Sequence, residues 1–149
     1  MRLVVAVGLP GSGKSTGLPA TALSSDQVRL SLLGDETDQT QNGRVFAALR
    51  ALVAESLQMN PVTYIDATNL TRRERRQWIL LGREYGAEVD ALYFDVPLAV
   101  CKDRNAARVR KVPERVLDLM AARFVPPSIE EGFNRVAIAG PRPEKSLPA

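Results

Sequence analysis

Histidine is absent from this chain of 149 residues, and cysteine occurs once, as Cys101. The chain therefore lacks the usual general base at neutral pH and the commonest transition-metal ligand. Acid–base chemistry must fall to carboxylates, lysine, tyrosine or water. A single cysteine excludes a disulfide within this sequence and a cysteine-based metal site, and the apolar neighbour Val100 favours a buried structural thiol.

Long apolar stretches and a strong charge imbalance are missing as well. No apolar run approaches the roughly 20 residues that a membrane-spanning helix needs, and the first residues enter a strand pattern instead of a signal peptide. We therefore expect a cytoplasmic protein with no membrane partner. The net charge of +3 is compatible with a polyanionic partner, but it is equally typical of a solvated basic surface.

The strongest pattern in the chain is GLPGSGKST at residues 8–16, which fits the phosphate-binding loop G-x-x-x-x-G-K-[ST]. It follows an apolar, valine-rich run that is typical of a buried parallel strand. Glycines let successive backbone N–H groups face phosphate oxygens, Lys14 reaches the β- and γ-phosphates, and the Ser15 hydroxyl binds Mg²⁺. The pattern predicts a site for ATP and Mg²⁺. Its nucleotide-binding residues are Gly8, Gly11, Ser12, Gly13, Lys14, Ser15 and Thr16.

Apolar strand patterns alternate with amphipathic helices along residues 1–139, which predicts one domain. The alternation indicates an α/β fold of the P-loop NTPase type, with a five-stranded parallel sheet sandwiched by helices and a helical lid. Gly17 and Pro19 predict that the helix after the phosphate loop is stunted to about one turn. Three prolines in residues 140–149 predict a loosely ordered, proline-rich C-terminal tail.

Two carboxylates follow predicted strands at the sheet edge where parallel sheets bind ligands. Asp26 is the best-placed general base for an attacking hydroxyl, although aspartate is also common there as a helix N-cap. Arg29, one helical turn later, is interpreted either as a phosphate ligand or as a salt-bridge partner of Asp26. Asp66 is a candidate for the Mg²⁺ shell or for tuning Ser15, with a loop cap as the alternative.

Two arginines, Arg104 and Arg108, share one face of a predicted helix. We expect this helix to fold over ATP as a lid, with both arginines stabilising charge on the transferred phosphoryl group. A solvated basic helix face is the alternative interpretation.

A second arginine cluster lies at the start of the helix that follows the third strand. Arg72 is closest to the C-terminal end of that strand and is expected to contact a polyanionic substrate. We interpret most of its companions, Arg73, Arg75 and Arg76, as exposed helix surface. Trp78 lies at helical spacing and is predicted to be a core residue and not a platform for base stacking.

Several further motifs follow the phosphate loop in a fixed order. They are SSDQVR at 24–29, GDETDQ at 34–39, DATN at 66–69, CKDRNAAR at 101–108, VPERVL at 112–117 and PPSIEEGF at 126–133. Over about residues 2–139 the chain resembles the P-loop kinase domain of polynucleotide kinases, including the kinase module of bacterial RNA end-healing proteins. The short first helix is a departure from this family, and it predicts less helical support behind the loop.

The resemblance implies roles on the donor side of the reaction for matching positions. Lys14, Ser15 and Thr16 would bind the ATP phosphates and Mg²⁺. Arg104 and Arg108 would be the lid arginines that contact the donor phosphates.

The resemblance also implies roles on the acceptor side. Asp26 would deprotonate a 5′-hydroxyl, and Arg29 and Gln39 would hold the phosphate next to that hydroxyl. The sequence thus predicts an ATP-dependent kinase that phosphorylates a hydroxyl, with the 5′-hydroxyl end of DNA or RNA as the favoured acceptor. A kinase for a sugar, nucleoside or other metabolite is one alternative, and a regulatory P-loop ATPase is another. Asp26 with Arg29 argues against a pure switch, which needs no acceptor-side base.

Overall fold

A computed structural model describes residues 1–109 and 111–139, and within them five parallel strands form one sheet. The strand order is β2-β3-β1-β4-β5. The strands are β1 (Arg2–Val7), β2 (Leu23–Ser24), β3 (Val62–Asp66), β4 (Glu88–Tyr93) and β5 (Arg135–Ile138). The predicted parallel α/β sheet is therefore confirmed. The predicted tail at 140–149 lies outside the described residues, and the domain boundary at 139 stays a prediction.

Helices connect these strands in the order that the sequence pattern predicts. They are α1 (Lys14–Gly17), α2 (Ser25–Leu33), α3 (Asn42–Met59), α4 (Arg72–Glu84), α5 (Leu98–Ala106) and α6 (Glu114–Arg123), followed by one 3₁₀ turn (Ile129–Glu131). The stunted helix predicted after the phosphate loop is confirmed, because α1 has four residues. Along the described ranges, no helix is long and apolar enough to cross a membrane.

The central strand β1 organises the core. Its side chains Leu3, Val5 and Val7 on one face are completely buried. Val4 and Ala6 on the other face are buried as well, as expected for a strand covered on both faces. Leu3, Val5 and Val7 pack in one cluster with Leu49 and neighbouring residues of α3 and with Trp78 of α4. The predicted core position of Trp78 is thus confirmed. Because β1 pairs in parallel with both β3 and β4, the loops that follow these three strands meet at one edge of the sheet.

The start of α4 shows how local sequence sets a helix boundary. Thr71 accepts a hydrogen bond from the backbone N–H of Glu74, and the Glu74 carboxylate accepts one from the Thr71 backbone N–H. This reciprocal capping box satisfies two N–H groups that a helix end would leave unpaired. Gly86, at φ 75°, follows the helix end in a left-handed conformation that suits glycine. Both predicted signals are confirmed.

Arg75 is the exception among the arginines of α4, most of which were predicted to be exposed. It is completely buried because it shares the inward face of α4 with Trp78, three residues on. Its Nε and Nη2 donate to the two carboxylate oxygens of Glu131 at 2.8 and 2.9 Å, and its Nη1 donates to the carbonyl oxygens of Asn69 and Val125. The pair ties α4 and the end of β3 to the segment that follows α6.

We expect Arg75→Met to lower the free energy of unfolding by about 3–5 kcal/mol, because it leaves the buried Glu131 carboxylate without its cation. Urea denaturation monitored by circular dichroism measures this change. The neighbouring exposed arginine supplies a matched control, since Arg76→Met removes the same charge from the surface and should change stability by less than about 1 kcal/mol. Equal losses in the two variants would contradict a stabilising role for the buried pair.

Candidate active site

The phosphate loop spans residues 8–16 between β1 and α1. Gly11 and Gly13 have φ values of 84° and 93°, a left-handed region in which side chains are strained. The backbone N–H of Gly8 donates to the carbonyl oxygen of Thr68 at 3.0 Å, which fastens the start of the loop to the residues after β3. The loop therefore has the turns that its glycine spacing predicts.

Close packing supports the loop where α1 is too short to do so. A Cβ atom on Gly17 would lie 2.7 Å from the Phe94 ring, and one on Gly11 would lie 2.6 Å from the backbone oxygen of Cys101. Arg104 of α5 donates from Nη1 to the Gly11 carbonyl oxygen at 3.3 Å. The loop is thus held between the aromatic ring after β4 and the backbone of α5.

Lys14 is folded into the loop and is nearly inaccessible to solvent. Its Nζ donates to the carbonyl oxygens of Gly8 and Leu9, both at 2.9 Å. Burial lowers the pKa of Lys14 to about 8, and the negative charge of Asp66 opposes that shift only in part. No carboxylate of the described residues lies within salt-bridge distance of Nζ. A buried ammonium without a paired anion fits the phosphate groups of a nucleotide.

Ser15 and Asp66, the two predicted Mg²⁺ ligands, are brought together. The Ser15 hydroxyl donates to Asp66 Oδ2 at 3.0 Å. Mg²⁺ prefers such oxygen ligands and usually keeps water and substrate phosphate oxygens in the rest of its shell. Among the described residues no cluster of three or more His, Cys, Asp or Glu side chains forms a complete metal site. The pair therefore fits a Mg²⁺ ion that a nucleotide helps to bind.

Asp26 and Arg29, the two residues predicted to act on the acceptor, lie side by side on α2. The N-cap alternative for Asp26 is not realised, because the Ser24 side chain caps α2 by accepting from the Gln27 N–H. Asp26 is left 65% exposed, and its Oδ1 accepts from Arg29 Nη1 at 2.8 Å. The salt bridge that was one interpretation of Arg29 is therefore present. In the register of the sheet, Ser24 lies beside Asp66. Asp66 is the last residue of β3 and Asp26 follows the neighbouring strand β2 by two residues, so both carboxylates lie at the same edge of the sheet.

Asn42 contacts both Arg29 and Gln39, and it was not singled out from the sequence. Its Oδ1 accepts from Arg29 Nη2 at 3.0 Å, and its Nδ2 donates to Gln39 Oε1 at 3.0 Å. Gln39 and Arg29 are thus brought close through Asn42. Its one sequence signal is its place at the start of α3. The sequence pattern predicted that start two residues later, at Arg44.

Of the two arginines predicted to form a lid, Arg104 of α5 lies at the phosphate loop and contacts Gly11 directly, as described above. Arg108 lies two residues beyond the end of α5, so the prediction that the two arginines share one helix face is wrong. Its positive charge adds to the effect of burial in lowering the pKa of Lys14. α5 itself is joined to the loop by an apolar cluster that includes Leu9 and Cys101. Cys101 is buried, and burial raises the pKa of its thiol, in line with the predicted structural role.

Arg72 does not join the other predicted residues. It is exposed, and its Nη2 donates to Ser128 Oγ at 3.4 Å. No hydrogen bond or ion pair within the described residues connects it to the phosphate loop or to Asp26. Its contact with a polyanionic substrate stays a prediction.

Comparison with known proteins identifies the family. The model of the AAA domain family matches residues 3–127. The chain belongs to this family. A bifunctional polynucleotide phosphatase/kinase of Schizosaccharomyces pombe is 27% identical over 139 residues, which cover 90% of this chain and 32% of that protein. The chain thus spans about a third of the length of this relative.

Solved structures agree with the fold. One chain of the Pnkp1/Rnl/Hen1 RNA repair complex superposes with a TM-score of 0.69 at 24% identity, covering 82% of this chain and 43% of that one. A gluconokinase from Sinorhizobium meliloti 1021 gives 0.62 at 18% identity, with 98% and 86% covered. The chain has a P-loop kinase fold, which implies nucleotide binding, and the predicted resemblance to polynucleotide kinase domains is confirmed.

The buried position of Lys14 predicts a pH dependence of nucleotide binding. Bound phosphates favour the charged ammonium, and the free domain loses that charge as the pH rises through about 8. We therefore expect the Kd for ATP to rise by about tenfold per pH unit above that value, as measured by isothermal titration calorimetry. Lys14→Arg is the control, because a guanidinium stays charged and should flatten the profile. The same slope in that variant would contradict the assignment to Lys14.

Proposed function

We propose that this domain is an ATP-dependent kinase that transfers the γ-phosphate to the 5′-hydroxyl of a nucleic acid. The observation that carries the proposal is the exposed Asp26 carboxylate, paired with Arg29, at the same sheet edge as the phosphate loop. A domain that only bound or hydrolysed nucleotide would have no use for this pair. The polynucleotide phosphatase/kinase relative supports a nucleic acid as acceptor.

The donor side would bind ATP through the phosphate loop. Lys14 exchanges its bonds with loop carbonyls for phosphate oxygens, which restores an anionic partner to a buried cation. Ser15, which donates a hydrogen bond to Asp66, would bind Mg²⁺. The charge of that ion would stabilise the transferred phosphoryl group. Arg104 and Arg108 add positive charge from the α5 side. These side chains orient the triphosphate for in-line attack.

The acceptor side would bind and deprotonate the attacking group. The acceptor oxygen forms a bond to the γ-phosphorus, the bond from that phosphorus to the β–γ bridging oxygen breaks, and ADP leaves. The hydroxyl proton passes to the Asp26 carboxylate. Arg29 orients Asp26 through its 2.8 Å bond, and it binds the phosphate next to the acceptor hydroxyl.

A small-molecule kinase is the second candidate. It is favoured by the gluconokinase structure, which this chain matches over nearly its entire length. The two candidates differ in what must accompany the hydroxyl. A nucleic acid end presents a phosphate one nucleotide unit away, for which Arg29 is suited, whereas a neutral sugar presents only hydroxyls. Gluconate presents a carboxylate, which a guanidinium also binds, so the acceptor panel must include it.

Transfer of labelled phosphate from ATP with Mg²⁺ to a panel of acceptors tests the proposal. The panel holds 5′-hydroxyl DNA and RNA oligonucleotides, their 5′-phosphorylated forms, nucleosides, gluconate and neutral sugars. We expect label on the 5′-hydroxyl oligonucleotides and none on the 5′-phosphorylated ones. Label on gluconate or a sugar, with none on any oligonucleotide, would replace the proposal with the second candidate.

Asp26→Asn should lower kcat by about two to four orders of magnitude, because it removes the proton acceptor but preserves the shape of the side chain. The Kd for ATP should stay within about twofold, since Asp26 lies outside the phosphate loop. Single-turnover kinetics and calorimetry measure the two quantities. Asp118→Asn, an exposed change on α6, is the control and should retain full activity. A kcat for Asp26→Asn equal to that of the control would remove Asp26 from the mechanism.

A further inference from the structure

Asn105, near the end of α5, binds two residues of the segment that follows this helix. It is buried, with 5% of its surface exposed. Its side-chain Nδ2 donates to the Val112 carbonyl oxygen at 2.6 Å, and its Oδ1 accepts from the Val112 N–H at 2.8 Å. Its main-chain carbonyl oxygen accepts from the Arg108 N–H at 3.1 Å. A single buried residue therefore holds the backbone of both Arg108 and Val112.

The side-chain amide of Asn105 suits this place because it carries a donor and an acceptor side by side. Val112 presents its N–H and its carbonyl oxygen to that one amide. A leucine of similar shape would satisfy neither group, and a carboxylate would satisfy only the N–H. Because backbone polar groups favour conformations in which they are paired, the position of Arg108 relative to Val112 depends on this amide.

The two neighbouring helices fix Asn105 relative to the phosphate loop. Lys102 of α5 pairs with Asp118 of α6 at 2.7 Å, which joins the helices on either side of the segment. The backbone of Cys101, also in α5, lies against the loop, since a Cβ atom on Gly11 would be 2.6 Å from its oxygen. Asn105 follows Cys101 by one helical turn. The helix α5 therefore connects the phosphate loop to Asn105 without a flexible link.

The Arg108 side chain has no such support of its own. Arg108 is exposed, and the next residue, Val109, is fully exposed. Among residues 1–109 and 111–139, no hydrogen bond or ion pair joins the Arg108 guanidinium to another side chain. Its charge nevertheless reaches Lys14, where it adds to the effect of burial in lowering the pKa of that ammonium. The place of the guanidinium near the phosphate loop therefore depends on the Arg108 backbone, which Asn105 binds.

We propose that Asn105 is the positioning residue that holds Arg108 at the phosphates of the donor nucleotide. The inference rests on the donor side of the proposed function, in which Arg108 adds positive charge to the transferred group, and it is independent of the acceptor. Asn105 contacts no nucleotide itself. Its side chain fixes Val112, and its carbonyl oxygen fixes Arg108. An arginine whose backbone is held in this way loses less entropy when it binds a phosphate.

A double-mutant cycle on nucleotide binding tests the inference. Calorimetry measures the Kd of the β,γ-imido analogue of ATP with Mg²⁺ and without any acceptor, so that failed transfer to a hydroxyl would contradict only the proposed function. We expect Arg108→Ala and Asn105→Leu each to raise the Kd by about tenfold or more, the size of one hydrogen bond to a charged group. The double variant should stay within about twofold of Arg108→Ala, because Asn105 then has no arginine to position.

Matched variants separate positioning from stability. Asn134→Leu is the control, because it removes a bond from the Val89 N–H, of 2.9 Å, near the start of β4 and at the other end of the sheet from the site. It should leave the Kd unchanged. Thermal melting shows which variants are folded. Should Asn105→Leu fail to fold, Asn105→Ser completes the same cycle, since its hydroxyl is too short to bridge both groups of Val112 but leaves room for water.

Three results would overturn the inference. An unchanged Kd in the Asn105 variant would show that Arg108 needs no positioning. An unchanged Kd in Arg108→Ala would show that there is no phosphate contact for Asn105 to support. Losses that multiply in the double variant would show that Asn105 affects nucleotide binding independently of Arg108, as a purely structural residue would.

Discussion

The close packing of the phosphate loop is the constraint on which the rest of the structure depends. The loop passes so near to the backbone of Cys101, and α1 so near to the Phe94 ring, that glycine is needed at Gly11 and Gly17. In a four-residue α1 there is little helix to hold such a loop. The Phe94 ring after β4 and the backbone of α5 provide that support instead, so that α5 contacts the loop directly. A change in α5 therefore reaches the phosphate loop through direct contact.

The end of β3 connects the same loop to the rest of the core. Asn69, which has a φ of 48°, donates from Nδ2 to the carbonyl oxygen of Ala6 in β1 and accepts from the Trp78 indole. Arg75 binds the Asn69 carbonyl oxygen and pairs with Glu131 beyond α6. Because buried polar groups are costly unless they are paired, this network has one favourable arrangement. The network fixes the C-terminal end of β3, and therefore Asp66, relative to Ser15.

Sequence patterns predicted the features that depend on neighbouring residues. The phosphate loop, the short α1 and the capping box at Thr71 each follow from residue types a few positions apart. Features that depend on distant partners were missed. The burial of Arg75 was not anticipated because its partner Glu131 lies 56 positions away. Asn42 was overlooked because its contact with Arg29 becomes apparent only when α2 packs against α3.

The central claim is that this site transfers the γ-phosphate to an acceptor hydroxyl and not to water. The most direct measurement follows the fate of labelled γ-phosphate during turnover with Mg²⁺, with and without a 5′-hydroxyl oligonucleotide. The account predicts that nearly all of the label released from ATP appears on the 5′ end of the oligonucleotide, and that ATP is consumed far more slowly without it. Free phosphate released at the same rate with and without the oligonucleotide would contradict the account.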